Sequence, residues 1–203
     1  MYIVCFDLEG VLTPEVWIAV SKSTGIEELK LTTRDISDYD ALMKNRIELL
    51  KKNKISLKDI QEIIRNMELL SGAKEFLDHI RNIAQTVIVT DSFIEFIMPF
   101  MKKLGFPICF CHNLEIDEEG IIIDYQIRIR EMKKQTILAL KGLNYDIIAV
   151  GDSYNDVSML LEAKYGILFR PPKNVIEEFP QLTVVNEYSE LRDLISNYLG
   201  LSD

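Results

Sequence analysis

The amino-acid sequence predicts an α/β protein: a Rossmann-like parallel sheet flanked by helices, with an inserted helical cap and a small β-hairpin. Three observations carry that expectation. Three apolar runs, Tyr2 to Phe6, Thr86 to Val89 and Asp146 to Val150, each close in polar residues: Asp7 and Glu9, then Thr90-Asp91-Ser92, then Gly151-Asp152-Ser153-Tyr154-Asn155-Asp156. Such runs read as buried strands that deliver groups to their C-terminal edge, where open α/β sheets build their sites. Roughly eighty residues separate the first two runs, whereas a parallel crossover needs only about a dozen. The surplus is an inserted domain. Lastly, the hydrophobic period changes from helical to alternating between Ile108 and Arg130 and then changes back.

The first run ends at Asp7-Leu8-Glu9-Gly10; taken alone, its two acids fit an ordinary polar strand end as readily as a site. Thr13-Pro14-Glu15 supplies a hydroxyl cap, a helix-compatible proline and an acid, the order that opens a helix, and Gly25 is placed to end it. Trp17, Ile18 and Val20 form its expected packing side. The polar stretch Thr32-Thr33-Arg34-Asp35-Ile36-Ser37-Asp38 leads into a second helix running to about Lys52, with the stripe Tyr39, Leu42, Met43, Leu49 and Leu50. At about 100° per residue Arg46 falls inside that stripe, between Leu42 and Leu50. Burying an unpaired charge costs on the order of several kcal/mol, so Arg46 asks for a partner, either a ligand carboxylate or a structural ion pair. Ser56-Leu57-Lys58-Asp59 has the form of a capping box opening a third helix, with Ile60, Ile63, Ile64 and Met67 on one side. Residues 13–70 are therefore expected to form the helical cap, and 1–12 with 71–203 the α/β core.

Ala73 to about Ile83 reads as a helix burying Phe76, Leu77 and Ile80. After the second strand, Phe93, Phe96, Ile97, Phe100, Met101 and Leu104 recur at helical spacing, with Pro99 as a kink. From about 108 to 130, Ile121, Ile123, Tyr125, Ile127 and Ile129 alternate with Ile122, Asp124, Gln126 and Arg128. Asp117-Glu118-Glu119-Gly120 is the turn, so a hairpin is expected. It suits a second small cap or the surface of a homodimer. His79 and His112 read as surface or packing residues. A helix from Lys133 to Leu143 leads into the third strand, and Val157, Met159 and Leu160 begin another. Tyr165 to Phe169 and Thr183 to Val185 are further strands, and Leu191, Leu194, Ile195 and Leu199 give a closing amphipathic helix.

With 203 residues, 48% of them hydrophobic, the chain can bury one full core plus a sizeable insertion. A net charge of −9 argues against nucleic acid or an anionic membrane as partner. It does not argue against phosphates bound through a metal ion, which reverses the local field. Cys5, Cys109 and Cys111 lie in apolar runs; an odd count without a leader suggests a reducing compartment, and small buried hydrophobes as their role. No apolar stretch approaches the ~18 residues of a membrane span, and a cytoplasmic location is expected.

If the three strands are parallel neighbours, their polar ends converge on one edge, which Lys133 can also reach. Clustered carboxylates repel unless a cation joins them, and an all-oxygen set suits Mg²⁺. Metal, hydroxyl and lysine together can neutralise the oxygens of a transferring phosphoryl group. A free carboxylate can then act as nucleophile, while a second acid protonates the leaving oxygen and its conjugate base activates the next acceptor. Other motifs fail: there is no Gly-x-x-x-x-Gly-Lys, no Gly-x-Gly-x-x-Gly, Asp152-Ser153-Tyr154 breaks the acidic spacing of a calcium loop, and no Cys/His pairing supports zinc.

Asp7-Leu8-Glu9-Gly10-Val11, Thr90, Lys133 and Gly151-Asp152-Ser153-Tyr154-Asn155-Asp156, in that order, resemble the four motifs of the haloacid dehalogenase (HAD) superfamily. The helical insertion and the style of the last motif resemble its phosphoserine phosphatase branch. The resemblance spans the whole chain and implies a HAD-like core with Asp7 as nucleophile and Glu9 as acid/base. It also implies Mg²⁺ held by Asp7, the backbone carbonyl of Glu9 and Asp152, with Asp156 in support. Thr90 and Lys133, or Lys134 in its place, would hold phosphoryl oxygens, with Asp91, Ser92 and Asn155 in the same substrate-binding set. Glu15 and Arg46 would read the amino and carboxylate groups of phosphoserine; for Arg46 this agrees with its place in the apolar stripe. Two departures matter. Glu9 stands where most phosphatases of the superfamily carry Asp, and Asp91-Ser92 stands where phosphoserine phosphatases usually have Gly-Gly. With Pro-Glu-x-Trp-Ile-Ala, Thr-Thr-Arg-Asp-Ile and Leu-Glu-Ile-Asp, these features resemble the bifunctional phosphoserine phosphatase/homoserine phosphotransferases, whose acceptor is water or homoserine. Three other readings compete: a capped phosphatase for another small phosphomonoester; a signalling receiver, which is shorter and has no cap after its first strand; and a scaffold that has lost activity, against which all reactive positions are filled.

Overall fold

In the computed structural model β1 (Tyr2–Phe6) is the central strand. It pairs in parallel with β2 (Gln85–Phe93) on one side and β5 (Asp146–Gly151) on the other, so the three apolar runs lie side by side with their C-terminal ends at one edge. Beyond β5 come the parallel strands β6 (Tyr165–Phe169) and β7 (Thr183–Val185). Beyond β2 come β3 (Cys109–Ile116), parallel, and β4 (Ile122–Gln126), antiparallel. Among the described residues, 1–32, 35–36 and 38–201, the sheet order is β4-β3-β2-β1-β5-β6-β7. Thr33, Arg34 and Ser37 of the polar stretch and Ser202 and Asp203 lie outside them.

A central parallel strand is covered on both faces and must be apolar throughout. Alternate residues accordingly enter two cores: Val4, Phe6, Ile88 and Ile148 on one face, and Ile3, Cys5, Val89 and Ile147 on the other. No helix of the described residues is long and apolar enough to cross a membrane.

Between β1 and α4 (Ala73–Ile83) the chain forms α1 (Val16–Thr24), a 3-10 turn (Glu27–Lys30), α2 (Tyr39–Lys52) and α3 (Leu57–Arg65). The Ser56/Asp59 capping box opens α3, and Gly25 ends α1 with φ 73°, a left-handed conformation that glycine adopts at little cost. Thr13, however, does not cap α1. Its hydroxyl donates to the Leu8 carbonyl at 3.4 Å, and the open Val16 N–H at the helix start donates instead to Glu9 Oε2 at 2.9 Å. Ile18 departs from the expected packing side, being 52% exposed; Val16 and Val20 are fully buried.

β2 runs four residues past Val89, and its register against β3 breaks between Val89 and Phe93. Thr90, Asp91 and Ser92 therefore sit in an irregular continuation of the strand, and α5 (Ile94–Leu104) begins only after Phe93. The expected hairpin forms as β3 and β4, but it extends the main sheet. Its predicted apolar side is overturned: Ile122 is buried, whereas Ile123, Ile127 and Ile129 are exposed. The register shift between Glu115 and Ile116 accounts for the exchange of Ile122 and Ile123, because a one-residue slip exchanges the two faces of a strand; Ile127 and Ile129 lie beyond the end of β4. The hairpin leans on the helical stretch, with Tyr125 Oη donating to Asp40 Oδ1 at 2.6 Å and Leu57 N–H to the Gly120 carbonyl at 2.9 Å.

After the hairpin come α6 (Met132–Gly142), α7 (Val157–Glu162), α8 (Lys173–Glu178) and α9 (Tyr188–Leu199). α8 has one buried residue, Val175, and hence no stripe by which a sequence could announce it.

Candidate active site

At the shared edge, carboxylate oxygens of Asp7, Asp152 and Asp156 lie within 4.8 Å of one another. Asp7 extends from β1, whose line its N–H continues by donating to the Val150 carbonyl of β5 at 2.9 Å. Asp156 stands in the turn after β5, its Oδ2 accepting from the N–H groups of Asp152 and Ser153 at 2.9 and 3.1 Å. Two glycines make the approach feasible. A Cβ at Gly10 would fall 2.4 Å from Asp152 Cγ, and one at Gly151 2.4 Å from Asp156 Cβ.

Lys133, at the start of α6, is buried among these acids. Its Nζ lies 2.7 Å from Asp156 Oδ1, 3.0 Å from Asp7 Oδ1 and 3.4 Å from Asp91 Oδ2. Burial alone would depress its pKa, but Asp156, Asp7 and Asp91 outweigh that and hold it well above the ordinary lysine value. Lys134 is partly exposed and is absent from this cluster. Asp7 is 4% exposed, and its Oδ1 accepts no hydrogen bond; the nearby ammonium supplies charge without an aligned N–H. Desolvation, then the Asp156 charge, raises the Asp7 pKa well above the carboxylate range despite Lys133. Desolvation and Asp156 likewise push Asp152 up to about 7.

Glu9 turns from this cluster toward α1. Desolvation and the Glu15 charge push its pKa up to about 8, against the hydrogen bonds from the Val16 N–H and the Ser92 side chain. Thr90 is buried, with Oγ1 accepting from the Ser92 N–H at 3.2 Å. Asn155 Nδ2 donates to Asp91 Oδ2 at 3.3 Å.

Arg46 is 7% exposed. Its guanidinium lies 4.4 Å from the centre of the Trp17 ring, and Nη2 donates to the Leu31 carbonyl at 2.7 Å. Nε is buried without a partner. Among the described residues no carboxylate is within ion-pair range of it, so the structural ion pair that its position allowed is not formed. Burial lowers its pKa to about 10, which leaves it charged at neutral pH. Glu15 is exposed at the start of α1 and close enough to act on the charges of Glu9, Asp152 and Arg46.

His112 is a neighbour of this site that the sequence did not reveal. It is 4% exposed, its Nδ1 accepts from the Arg128 N–H at 3.2 Å, and its Nε2 is 3.9 Å from Asp91 Oδ1. Burial lowers its pKa. The contact arises from the pairing of β2 with β3, for which a lone histidine gives no signal.

These groups can bind a cation, supply a buried carboxylate nucleophile and offer a second carboxyl that carries a proton near neutrality. Together with the parallel sheet, they define a class: a family model of haloacid dehalogenase-like hydrolases matches residues 1–164, and the chain belongs to that family. More particularly, it is 52% identical over 192 residues to phosphoserine phosphatase ThrH of Pseudomonas aeruginosa, covering 95% of this chain and 94% of that protein. It is 24% identical to a phosphoserine phosphatase of Methanocaldococcus jannaschii, covering 95% of each. Among solved structures, an apo phosphoserine phosphatase superposes with a TM-score of 0.75 at 21% identity, covering 99% of this chain and 98% of that one. A phospho-aspartyl intermediate analogue of phosphoserine phosphatase gives 0.73 at 20%, covering 93% and 96%.

The raised carboxyl groups predict how stability varies with pH. Asp7, Asp152 and Glu9 keep protons in the folded, metal-free protein at pH values where the unfolded chain has released them. Their contribution is fully present below the ordinary carboxylate range and is lost as pH rises toward about 7 for Asp152 and about 8 for Glu9. Thermal melts in chelator should show Tm falling from pH 5 to pH 8. A Tm that rises over that window would contradict the reading.

Proposed function

We propose that the protein is a Mg²⁺-dependent phosphoserine phosphatase that also transfers the phosphoryl group to homoserine, through an aspartyl phosphate on Asp7. The observation that carries the proposal is the Asp7 carboxylate itself, buried, without a hydrogen bond at Oδ1, and set between two further acids and a single lysine. The residues fit a magnesium ion, being oxygen donors only, close together, with one buried donor left open. Asp7, the backbone carbonyl of Glu9 and Asp152 would hold it, with Asp156 in support through its bonds to Lys133 and to the turn. Once bound, the ion neutralises charge on the phosphoryl oxygens. It should also remove the loss of stability at high pH, raising Tm more at pH 8 than at pH 5.

The Thr90 hydroxyl and the Lys133 ammonium would hold phosphoryl oxygens while the Asp7 carboxylate attacks phosphorus and the seryl oxygen leaves. Glu9 gives that oxygen its proton and, now ionised, takes one from the next acceptor. Residues 13–70 serve as a cap that closes on the amino-acid part of the substrate, with Arg46 for its carboxylate and Glu15 for its ammonium. The names of the relatives above support phosphoserine as that substrate.

Homoserine enters through Glu9. Compared with Asp, its extra methylene moves the acid outward by ~1.5 Å. With Oε2 held by the Val16 N–H, the carboxyl is positioned to meet an acceptor that carries a carbon chain.

The decisive experiment incubates the protein with phosphoserine and Mg²⁺, with and without homoserine, and follows inorganic phosphate and phosphohomoserine. Turnover in both tubes, with phosphohomoserine in the second, is the expected result. No turnover of phosphoserine would leave a phosphatase for another small phosphomonoester. In Glu9→Asp the ratio of transfer to hydrolysis should fall by about tenfold, since misplacing a reacting group by an ångström is costly; an unchanged ratio would remove the reason for assigning transfer to Glu9.

A further inference from the structure

Three carboxylates surround the Lys133 ammonium: it donates to Asp156 Oδ1 at 2.7 Å, and Asp7 Oδ1 and Asp91 Oδ2 lie 3.0 and 3.4 Å from Nζ. A phosphoryl oxygen approaching that ammonium meets these negative charges, and one of the carboxylates must give way for it to come close. Asp156 is fully buried and tied by the N–H groups of Asp152 and Ser153, and Asp7 is fixed at the end of β1. Asp91 is different: its side chain is 36% exposed, and its 3.4 Å contact with Lys133 is the longest of the three. It also has somewhere else to go. His112 Nδ1 accepts the Arg128 N–H, so in the neutral ring the proton is on Nε2, and that nitrogen stands 3.9 Å from Asp91 Oδ1.

We infer that Asp91 is an internal competitor for phosphate, occupying Lys133 in the empty site and moving onto the His112 Nε2–H when a phosphoryl group arrives. The inference rests on reading the site as one for phosphoryl transfer, and it assigns His112 as a positioning residue that acts through Asp91. Its consequence is a specificity device. An inorganic phosphate ion must displace Asp91 with phosphate contacts alone, whereas a phosphorylated amino acid brings further contacts at Arg46 and Glu15 to offset the displacement. The product anion is thereby held loosely.

The test is a titration of inorganic phosphate into the Mg²⁺-loaded protein, followed by calorimetry or ³¹P NMR. Asp91→Ala and Asp91→Asn should both bind phosphate about tenfold more tightly than wild type, the order expected when a like charge leaves the neighbourhood of a bound anion. His112→Phe, which denies Asp91 its second seat, should bind it more weakly by about threefold, within the range of one modest hydrogen bond. His112→Gln, which keeps a donor, should restore part of the loss. In Asp91→Ala the His112→Phe change should have no further effect. Phosphate affinity unchanged in both Asp91 variants, including no binding in any protein, would overturn the inference, as would a His112 effect that persists without Asp91. Tighter phosphate binding in the Asp91 variants of a protein that does not turn over phosphoserine would uphold the inference and overturn the substrate instead.

Discussion

Asp7→Asn is expected to abolish phosphoserine turnover and transfer to homoserine together, by at least ~10⁴-fold, the order seen when a nucleophile is removed from a covalent mechanism. The amide is close in size to the carboxylate, so the cavity and the β1 backbone are undisturbed. What would be lost is the anionic oxygen proposed to attack phosphorus. Stability should move in the opposite direction. Asp7 is buried beside Asp156 and Asp152, and its carboxyl is held well above the ordinary range by desolvation and by those charges. Lys133 would keep Asp156 and Asp91 as counter-ions. In chelator at pH 8, Asp7→Asn should therefore melt at or above the wild-type Tm. Loss of activity with a lower Tm would mean that Asp7 is a structural acid and that the nucleophile lies elsewhere. Residual transfer without hydrolysis would also contradict one shared intermediate on Asp7.

The strands that meet at this site were legible because each is a short apolar run closed by polar residues. A buried parallel strand has no solvent face to interrupt the signal, as Ile3, Val4, Cys5 and Phe6 show. Arg46 was legible for a related reason, since a cation inside a helical stripe contradicts its surroundings. The local breaks were less visible. The slip at Glu115/Ile116 that turns Ile122 inward depends on how two strands meet, and a period read along one strand carries no trace of it. The same holds for the β2 irregularity that seats Thr90, Asp91 and Ser92, and for His112, which reaches Asp91 only across β3. Thr13 does not cap α1 because a better acceptor, Glu9 Oε2, takes the N–H at the helix start. Glu9 is seven positions before Val16, yet the loop brings its carboxylate to the Val16 N–H. One side chain thus couples the proposed acid/base to the first helix of the inserted stretch.

Arg46 is close enough to Glu9 and Glu15 to feel their charges, and the second large effect is expected there. Arg46→Ala should raise the KM for phosphoserine by about 100-fold while changing the KM for a phosphomonoester without the amino-acid part by less than about threefold, since truncating one partner of a buried charge pair costs about 2–5 kcal/mol. The argument turns on what the guanidinium lacks. It has the Leu31 carbonyl, the Trp17 face and the Met43 sulfur at 3.6 Å, but among the described residues no carboxylate, and none of them offers its buried Nε an acceptor. Its desolvation is therefore offset only in part until an anion arrives, which concentrates binding energy on a substrate carboxylate. Arg46→Lys should not restore the KM, because an ammonium lacks the planar fork and cannot stack on Trp17 in the same way. Stability should separate this role from a structural one. Removing a charge that is incompletely paired should leave the Tm of the empty protein nearly unchanged, while the rise in Tm that saturating phosphoserine gives the wild type should disappear. Equal KM effects on both esters would refute the assignment.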